Sequence, residues 1–144
     1  MIRLESIDPD NWRLGLKVSE TQKNYVSDSM ALLARAYAYR NHRSNAVLIY
    51  NDSEPIGMAL YYDCEELNAF DLSQFFIDER YQHKGFGLLA AKLIIDMMKA
   101  DGKYNKVVLC FIEGNIAAQK MYEKLGFILT GERDGNEIVM EKVL

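Results

Sequence analysis

At 144 residues the chain can form one domain, spanning 1–144, with a sizeable core, because about two-thirds of the unfolded surface is removable at this size. A hydrophobic fraction of 49% with 26% charged residues excludes wholesale disorder, and a net charge of −4 argues against a nucleic-acid partner held through phosphates. The apolar stretches are too short to span a bilayer, and Arg3 and Glu5 interrupt the apolar core that a secretory signal would need, so a cytoplasmic protein without membrane contact is expected.

Ile2 to Ile7 alternates as a first strand does, and Pro9 between Asp8 and Asp10 predicts a helix containing Trp12, Leu14 and Leu16. A second helix is predicted over Tyr25 to Tyr39, where Val26, Met30, Leu33, Ala34 and Tyr37 recur at helical spacing. Strands follow at Ala46 to Tyr50 and Ile56 to Tyr62, joined by a turn at Asn51-Asp52-Ser53-Glu54-Pro55. The acidic Asp63-x-Glu65-Glu66 reads as a hairpin end. The run Leu72-Ser73-Gln74-Phe75-Phe76-Ile77 predicts a buried strand, and Leu88 to Met98 a largely buried helix.

Between them lies Gln82-His83-Lys84-Gly85-Phe86-Gly87. Gly85 and Gly87 admit backbone angles closed to other residues and let a ligand approach the main chain. Free N–H groups at the helix start, with the helix dipole, favour a negative group such as a pyrophosphate, and Lys84 adds a positive charge. A glycine turn of this kind is also an ordinary connection. The spacing is neither that of a P-loop nor the full Gly-x-Gly-x-x-Gly of a dinucleotide site.

Lys106 to Ile112 predicts another strand. After it, Asn115 suits an N-cap and Gly126 a C′ position, so a helix between them carries Ala118, Tyr122 and Leu125 on one face. In itself Tyr122 reads as a core aromatic with its hydroxyl at the edge. Closing strands are predicted at Ile128 to Thr130 and Glu137 to Val143. Cys64 and Cys110 are expected as buried free thiols, His42 and His83 as solvated side chains, and no metal site is expected. Glu20, Asp63, Glu65, Glu66, Asp71 and Glu113 are the carboxylates that could line a site for a cation, or simply solvate the surface.

Two segments together, Arg80-Tyr81-Gln82-His83-Lys84-Gly85-Phe86-Gly87 and Asn115-x-x-Ala118-x-x-x-Tyr122-x-x-x-Gly126-Phe127, resemble the GNAT superfamily of acyl-CoA-dependent N-acetyltransferases. Val18-Ser19-Glu20-x-Gln22-x-x-Tyr25-Val26, Leu32-Leu33-Ala34-x-Ala36-Tyr37 and Phe75 to Gln82 look like bacterial diamine and spermine/spermidine acetyltransferases. The resemblance implies an α/β (α+β) GNAT fold, a twisted, mixed, mostly antiparallel sheet of about six or seven strands flanked by about four helices. It implies acetyl-CoA as co-substrate, no metal, a small-molecule amine acceptor and a homodimer. Transfer would proceed by direct attack of the amine on the thioester in a ternary complex. A polyamine or diamine acceptor leads. A protein N-terminus, a lysine, an amine antibiotic, or binding of acetyl-CoA without transfer remain open as alternatives.

The same resemblance assigns parts. Phe75, Phe76 and Ile77 would present backbone groups to the acetyl and pantetheine portions, and Gln82, His83, Lys84, Gly85, Phe86, Gly87 and Leu88 would hold the pyrophosphate. Asn115 would contact the pantetheine arm, Ala118 would leave room beside it, and Tyr122 would be the general acid toward the departing thiolate. Many relatives place a carboxylate two residues before the position of Phe75, where this chain has Ser73. No general base is thereby assigned; Glu113 and Glu20 are the carboxylates placed to act through water.

Overall fold

The computed structural model describes residues 1–26 and 28–144. Seven strands, β1 (Ile2–Ser6), β2 (Asn45–Asn51), β3 (Glu54–Cys64), β4 (Ala69–Ile77), β5 (Lys106–Ile112), β6 (Ile128–Asp134) and β7 (Glu137–Val143), form one sheet in the order β1-β2-β3-β4-β5-β7-β6. All neighbours are antiparallel except β4 and β5. The helices are α1 (Ser29–Ala38), α2 (Phe86–Asp101) and α3 (Ile116–Lys124).

The sheet carries a core on each face. On one, Ala90, Ile94, Ile95 and Met98 of α2 and Tyr122 of α3 pack with Ile49, Phe70, Leu72, Val107, Leu109 and Met140. On the other, Leu32 of α1 joins Leu48, Met58, Leu60, Tyr62 and Phe76, covered by Leu16 and Val18 from the segment before α1. Each fully buried aliphatic side chain contributes about 1.5–3 kcal/mol, so both faces anchor the strands firmly.

The helix expected after Pro9 does not form. The Asp8 carboxylate accepts the N–H groups of Asp10 at 2.8 Å and Asn11 at 2.9 Å, closing a turn, and Gly15 at φ 72° ends any helical path. Leu16 and Val18 instead bury by extended alternation, leaving three α-helices among the described residues rather than about four. The helix predicted over 25–39 starts at Ser29, because Asp28 caps it by accepting the Ala31 N–H at 2.7 Å. Ser27 of that predicted range lies outside the described residues.

Elsewhere the predicted elements form with small extensions. Asn115 caps α3 by accepting the Ala118 N–H at 3.3 Å, and Gly126 follows the helix at φ 95°. Of the two cysteines, both free, Cys64 is half-buried and Cys110 exposed. The burial expected for Cys110 fails because its side of β5 faces a cavity rather than a helix. His42 lies beside Glu65, 3.0 Å from its carboxylate, and His83 is exposed.

One irregularity positions everything that follows. The parallel pair β4–β5 is joined only at Phe70↔Val107 and Asp71↔Val108, after which the strands diverge. A bulge in the β3–β4 ladder at Leu60/Tyr61 leaves Ser73 as the extra residue on β4 and turns the strand outward at that point.

Candidate functional site

Past Leu72, β4 is still paired with β3 on one side but has no strand partner on the other. Main-chain groups in the middle of a sheet are thereby left free for a ligand that supplies the missing rung. Two cavities, each of about 310 Å³, flank this gap. Both are lined by Val26, Phe75, Asn115, Ala118 and Tyr122, so they meet there.

The first cavity opens on the α2 side. Phe75, Phe76, Ile77, Gln82, His83, Gly85, Phe86, Gly87 and Leu88 line it, together with Asn115 and Ala118. Of the residues expected to hold a cofactor, only Lys84 falls outside this wall, exposed on the same turn. Gly85 sits at φ 82° as the N-cap of α2, a conformation that other residues adopt at a cost. Leu89 is the first N–H of the helix to return to its own turn, bonding to Gly85 O at 3.3 Å, so those of Phe86, Gly87 and Leu88 point out of its start. A side chain at Gly87 would begin to fill the cavity, its Cβ standing 3.3 Å from Met121 Sδ and 3.6 Å from Ile77. Gln82 fixes the turn by donating to Ile77 O at 3.0 Å.

Asp78 supports the same turn from behind. It is 1% exposed, and its carboxylate accepts the Lys17 N–H at 2.9 Å, the Arg80 N–H at 3.0 Å and Arg80 Nε at 2.8 Å. Burial alone would raise its pKa, but these bonds hold it below the usual aspartate range.

At the junction, Tyr122 is buried and its ring meets Phe127 edge-on at 5.6 Å. The hydroxyl makes no hydrogen bond among the described residues, and burial pushes the phenol well above its ordinary pKa. It lines both cavities where they meet. Asn115 spends its side-chain oxygen on the α3 cap, which leaves its amide nitrogen for a ligand.

The second cavity opens on the α1 side, between Arg35, Ser73, Cys110 and Glu137. Arg35 Nη1 donates to Ser73 Oγ at 3.2 Å and Tyr62 Oη donates to the same oxygen at 3.1 Å. Burial raises the Tyr62 phenol to about 12, so it stays protonated in that role. Asp71, on the same face of β4, is lifted to about 6 by burial, with Arg35 opposing and Glu137 adding to the rise. Solvent reaches Cys110, yet its thiol rises to about 11 through partial burial and the charges of Glu137, Asp71 and Asp134. A thiol so placed is un-ionised at neutral pH.

Most carboxylates picked from the sequence are otherwise engaged. Glu20 pairs with Lys23 at 2.7 Å and Glu113 with Arg133 at 2.7 Å, both on the surface. Asp63 is buried between Arg43 and Lys103, at 2.7 and 2.6 Å, where it ties the end of β3 to the loop after α2. Glu65 sits by His42 and Glu66 is exposed. Asp71 lies beside the second cavity without lining it, and among the described residues Glu137 is the acidic one in its wall. Glu137 was not foreseen, because its approach depends on β7 inserting beside β5, a pairing invisible in the local sequence.

Asp71 has a measurable consequence for stability. Its raised pKa means that the native state binds the proton more tightly than the unfolded chain, so ionisation penalises folding. That penalty is absent below about pH 4 and complete above the raised value. Asp71→Asn should raise stability by about 1–2 kcal/mol at pH 7.5, after allowance for solvent screening, and leave it unchanged at pH 3.5. Urea unfolding at both pH values measures the difference.

Over residues 8–127 the chain matches the acetyltransferase (GNAT) family. It is 34% identical over 152 aligned positions to a spermine/spermidine N(1)-acetyltransferase of Bacillus subtilis strain 168, with 99% of each chain covered. Among solved structures, it superposes on a Vibrio cholerae spermidine N-acetyltransferase in complex with CoA and spermine with a TM-score of 0.76, at 16% identity, covering 99% of this chain and 95% of that one. An aminoglycoside acetyltransferase in complex with coenzyme A gives a TM-score of 0.81 at 13% identity, again over 99% and 95%. At such identities the superpositions speak to the fold alone.

Proposed function

The chain belongs to the acetyltransferase (GNAT) family, and on that premise we propose that it moves the acetyl group of acetyl-CoA to a primary amine, with a polyamine such as spermine or spermidine as the acceptor. The observation that carries this reading is the meeting of two cavities at a wall that includes Tyr122. One has the glycine turn and free helix N–H groups suited to a pyrophosphate. The other has the Glu137 carboxylate in its wall.

In this reading the diphosphate of acetyl-CoA lies over Gln82 to Leu88, with Lys84 adding charge from the rim. The pantetheine arm runs into the gap beside Phe75, Phe76 and Ile77, where its amides complete the interrupted ladder, and passes Asn115 and Ala118. Unlinked β4 main-chain N–H groups stabilise the thioester oxygen as it gains charge. Tyr122 gives its proton to the departing thiolate. The amine enters from the α1 side, so both substrates are present together and no acetyl-enzyme is needed. The identity to the Bacillus enzyme supports a polyamine over other amines. The net charge of −4 supports it further, since an acidic surface gathers polycations.

The reading extends to one catalytic domain over 1–144, paired as a homodimer in the cytoplasm. Among the described residues, no helix is long and apolar enough to cross a membrane.

Thiol release from acetyl-CoA tests the function against spermine, spermidine, putrescine, a lysine peptide, an aminoglycoside and a control without amine. Saturable turnover with spermine or spermidine, at a kcat/KM at least tenfold above the other amines, is the expected result. Preference for another amine would replace the acceptor, and tight acetyl-CoA binding with no turnover would remove the transfer reaction.

A further inference from the structure

We propose that Glu137 sets the acceptor preference, by holding the second ammonium of a polyamine while the first nitrogen is acetylated at the junction of the cavities. The inference rests on the amine-acetylation reading above and deepens it, since that reading names an acceptor but not the residue that tells a polyamine from a simple alkylamine.

Strand pairing puts Glu137 in the wall. On β5, Val107, Leu109 and Phe111 point into the core under α2 and α3, so Cys110 and Ile112 face the α1 side, and both line the acceptor-side cavity. Glu137 is the register partner of Ile112, and directly opposed residues of an antiparallel ladder share a face. It therefore stands on the cavity face beside Ile112, one strand spacing of about 5 Å away. Ile112 O in turn accepts the Asn115 N–H at 3.1 Å, and Asn115 lines both cavities. Glu137 is thus set back from the junction by about one strand, an interval that the three- or four-carbon spacer between polyamine nitrogens can bridge.

The charges around the cavity are polarised. Among the described residues, those lining it with a formal charge are Lys23, Arg35 and Glu137. Lys23 is paired with Glu20 at 2.7 Å, and Arg35 is fixed to Ser73 Oγ at 3.2 Å on the β4 side. An entering ammonium is repelled at the Arg35 end and attracted at the β7 end. Neighbours of Glu137 are already engaged, Glu141 lying 3.9 Å from Lys106 and Arg133 bonding Glu113, whereas Glu137 itself enters no ion pair among the described residues. Asp134, its register partner on β6, and Asp71 on β4 add negative charge from outside the wall. Cys110 registers that field within the wall, its thiol raised by burial and then by the charges of Glu137, Asp71 and Asp134.

A half-buried carboxylate without a counter-ion gains from a cation that the substrate supplies, as a charge-assisted hydrogen bond. An alkylamine brings no such group. Discrimination between the two acceptors is then the worth of one contact, made by a nitrogen that does not react.

The test compares kcat and KM for spermidine and for hexylamine in the wild type, Glu137→Gln, Glu137→Asp and Asp134→Asn. The wild type should favour spermidine in kcat/KM, and Glu137→Gln should lower that spermidine-to-hexylamine ratio about thirtyfold, through the KM of spermidine rather than kcat. Glu137→Asp keeps the charge on a stem one carbon shorter and should restore part of the ratio. Asp134→Asn, outside the wall, should shift it by less than about threefold. An unchanged ratio in Glu137→Gln would overturn the proposal. So would a loss in kcat shared equally by both amines, which marks a packing role, or a larger fall in Asp134→Asn than in Glu137→Gln. A wild type that acetylates no amine would remove the acetylation reading and this inference with it, whereas a spermidine-selective enzyme indifferent to Glu137 would remove the inference alone.

Discussion

Replacing Tyr122 by phenylalanine should lower kcat by about a hundredfold while changing the KM for acetyl-CoA by less than about threefold. The ring is what the core needs from this residue, and phenylalanine keeps the edge-on contact with Phe127. The hydroxyl has no protein partner to abandon, so its removal leaves no unsatisfied group and costs little stability. What disappears is the phenol proton at the junction of the two cavities. The loss should therefore depend on the leaving group. With an acetyl thioester of a more acidic thiol, which departs without help, the variant should recover most of the difference. Rates measured with both thioesters, alongside thermal melts of both proteins, decide the matter. An equal loss with both donors would assign Tyr122 to packing rather than to proton transfer.

Asp78→Ala should lower stability by about 3 kcal/mol and Tm by roughly 10 °C. Asp78 gathers three donors from two segments, the Lys17 N–H and the main chain and guanidinium of Arg80. Alanine would leave the two N–H groups without acceptors in a place that water hardly reaches. The segment before α1 and the approach to the glycine turn would loosen together, so acetyl-CoA affinity should fall along with stability. The pH dependence has the opposite sign to that of Asp71. With a native pKa held below the ordinary range, Asp78 contributes its full stability above about pH 4 and loses it as pH falls through the lower native value. Denaturant unfolding of wild type and variant at pH 7 and pH 3 measures both effects, and a gap between them that narrows at pH 3 is the expected outcome.

Much of the fold was legible because it is locally encoded. The run Lys106 to Ile112 formed as a strand with the predicted limits, and the Asn115 cap and Gly126 stop delimited α3. The glycine turn before α2 announced itself by the same logic, as a break between an apolar strand and an apolar helix. The segment after Pro9 misled because Asp8 supports a capped turn as readily as a helix start, and Gly15 decided between them only through a positive φ. The cofactor-side wall was readable since nearly all of it comes from two contiguous stretches. The acceptor side gathers Arg35 of α1, short runs of β4 and β5 and Glu137 of β7, with Tyr62 of β3 bonded to Ser73 behind them, and these meet only once β7 lies between β5 and β6. That is why Arg35, Tyr62 and Glu137 carried no signal as a group. Asp63 illustrates the converse, an aspartate in an acidic surface motif that turns inward to bind two cations.

The sparse junction between β4 and β5 also shapes how the molecule holds together. Strands β1 to β4 form one half of the sheet and β5, β7 and β6 the other, and among the described residues two pairs, at Phe70 and Asp71, rivet the halves through the main chain. Elsewhere the halves are held by side chains packed against α2. Such a seam is the natural axis for breathing, and its amides are the part of the central sheet most open to solvent exchange. A molecule threaded into the gap replaces the missing rungs and turns two stiff plates joined at one edge into a continuous one. Ligand binding is then also a mechanical event, and the rigidity of the whole sheet is set by occupancy of its own middle.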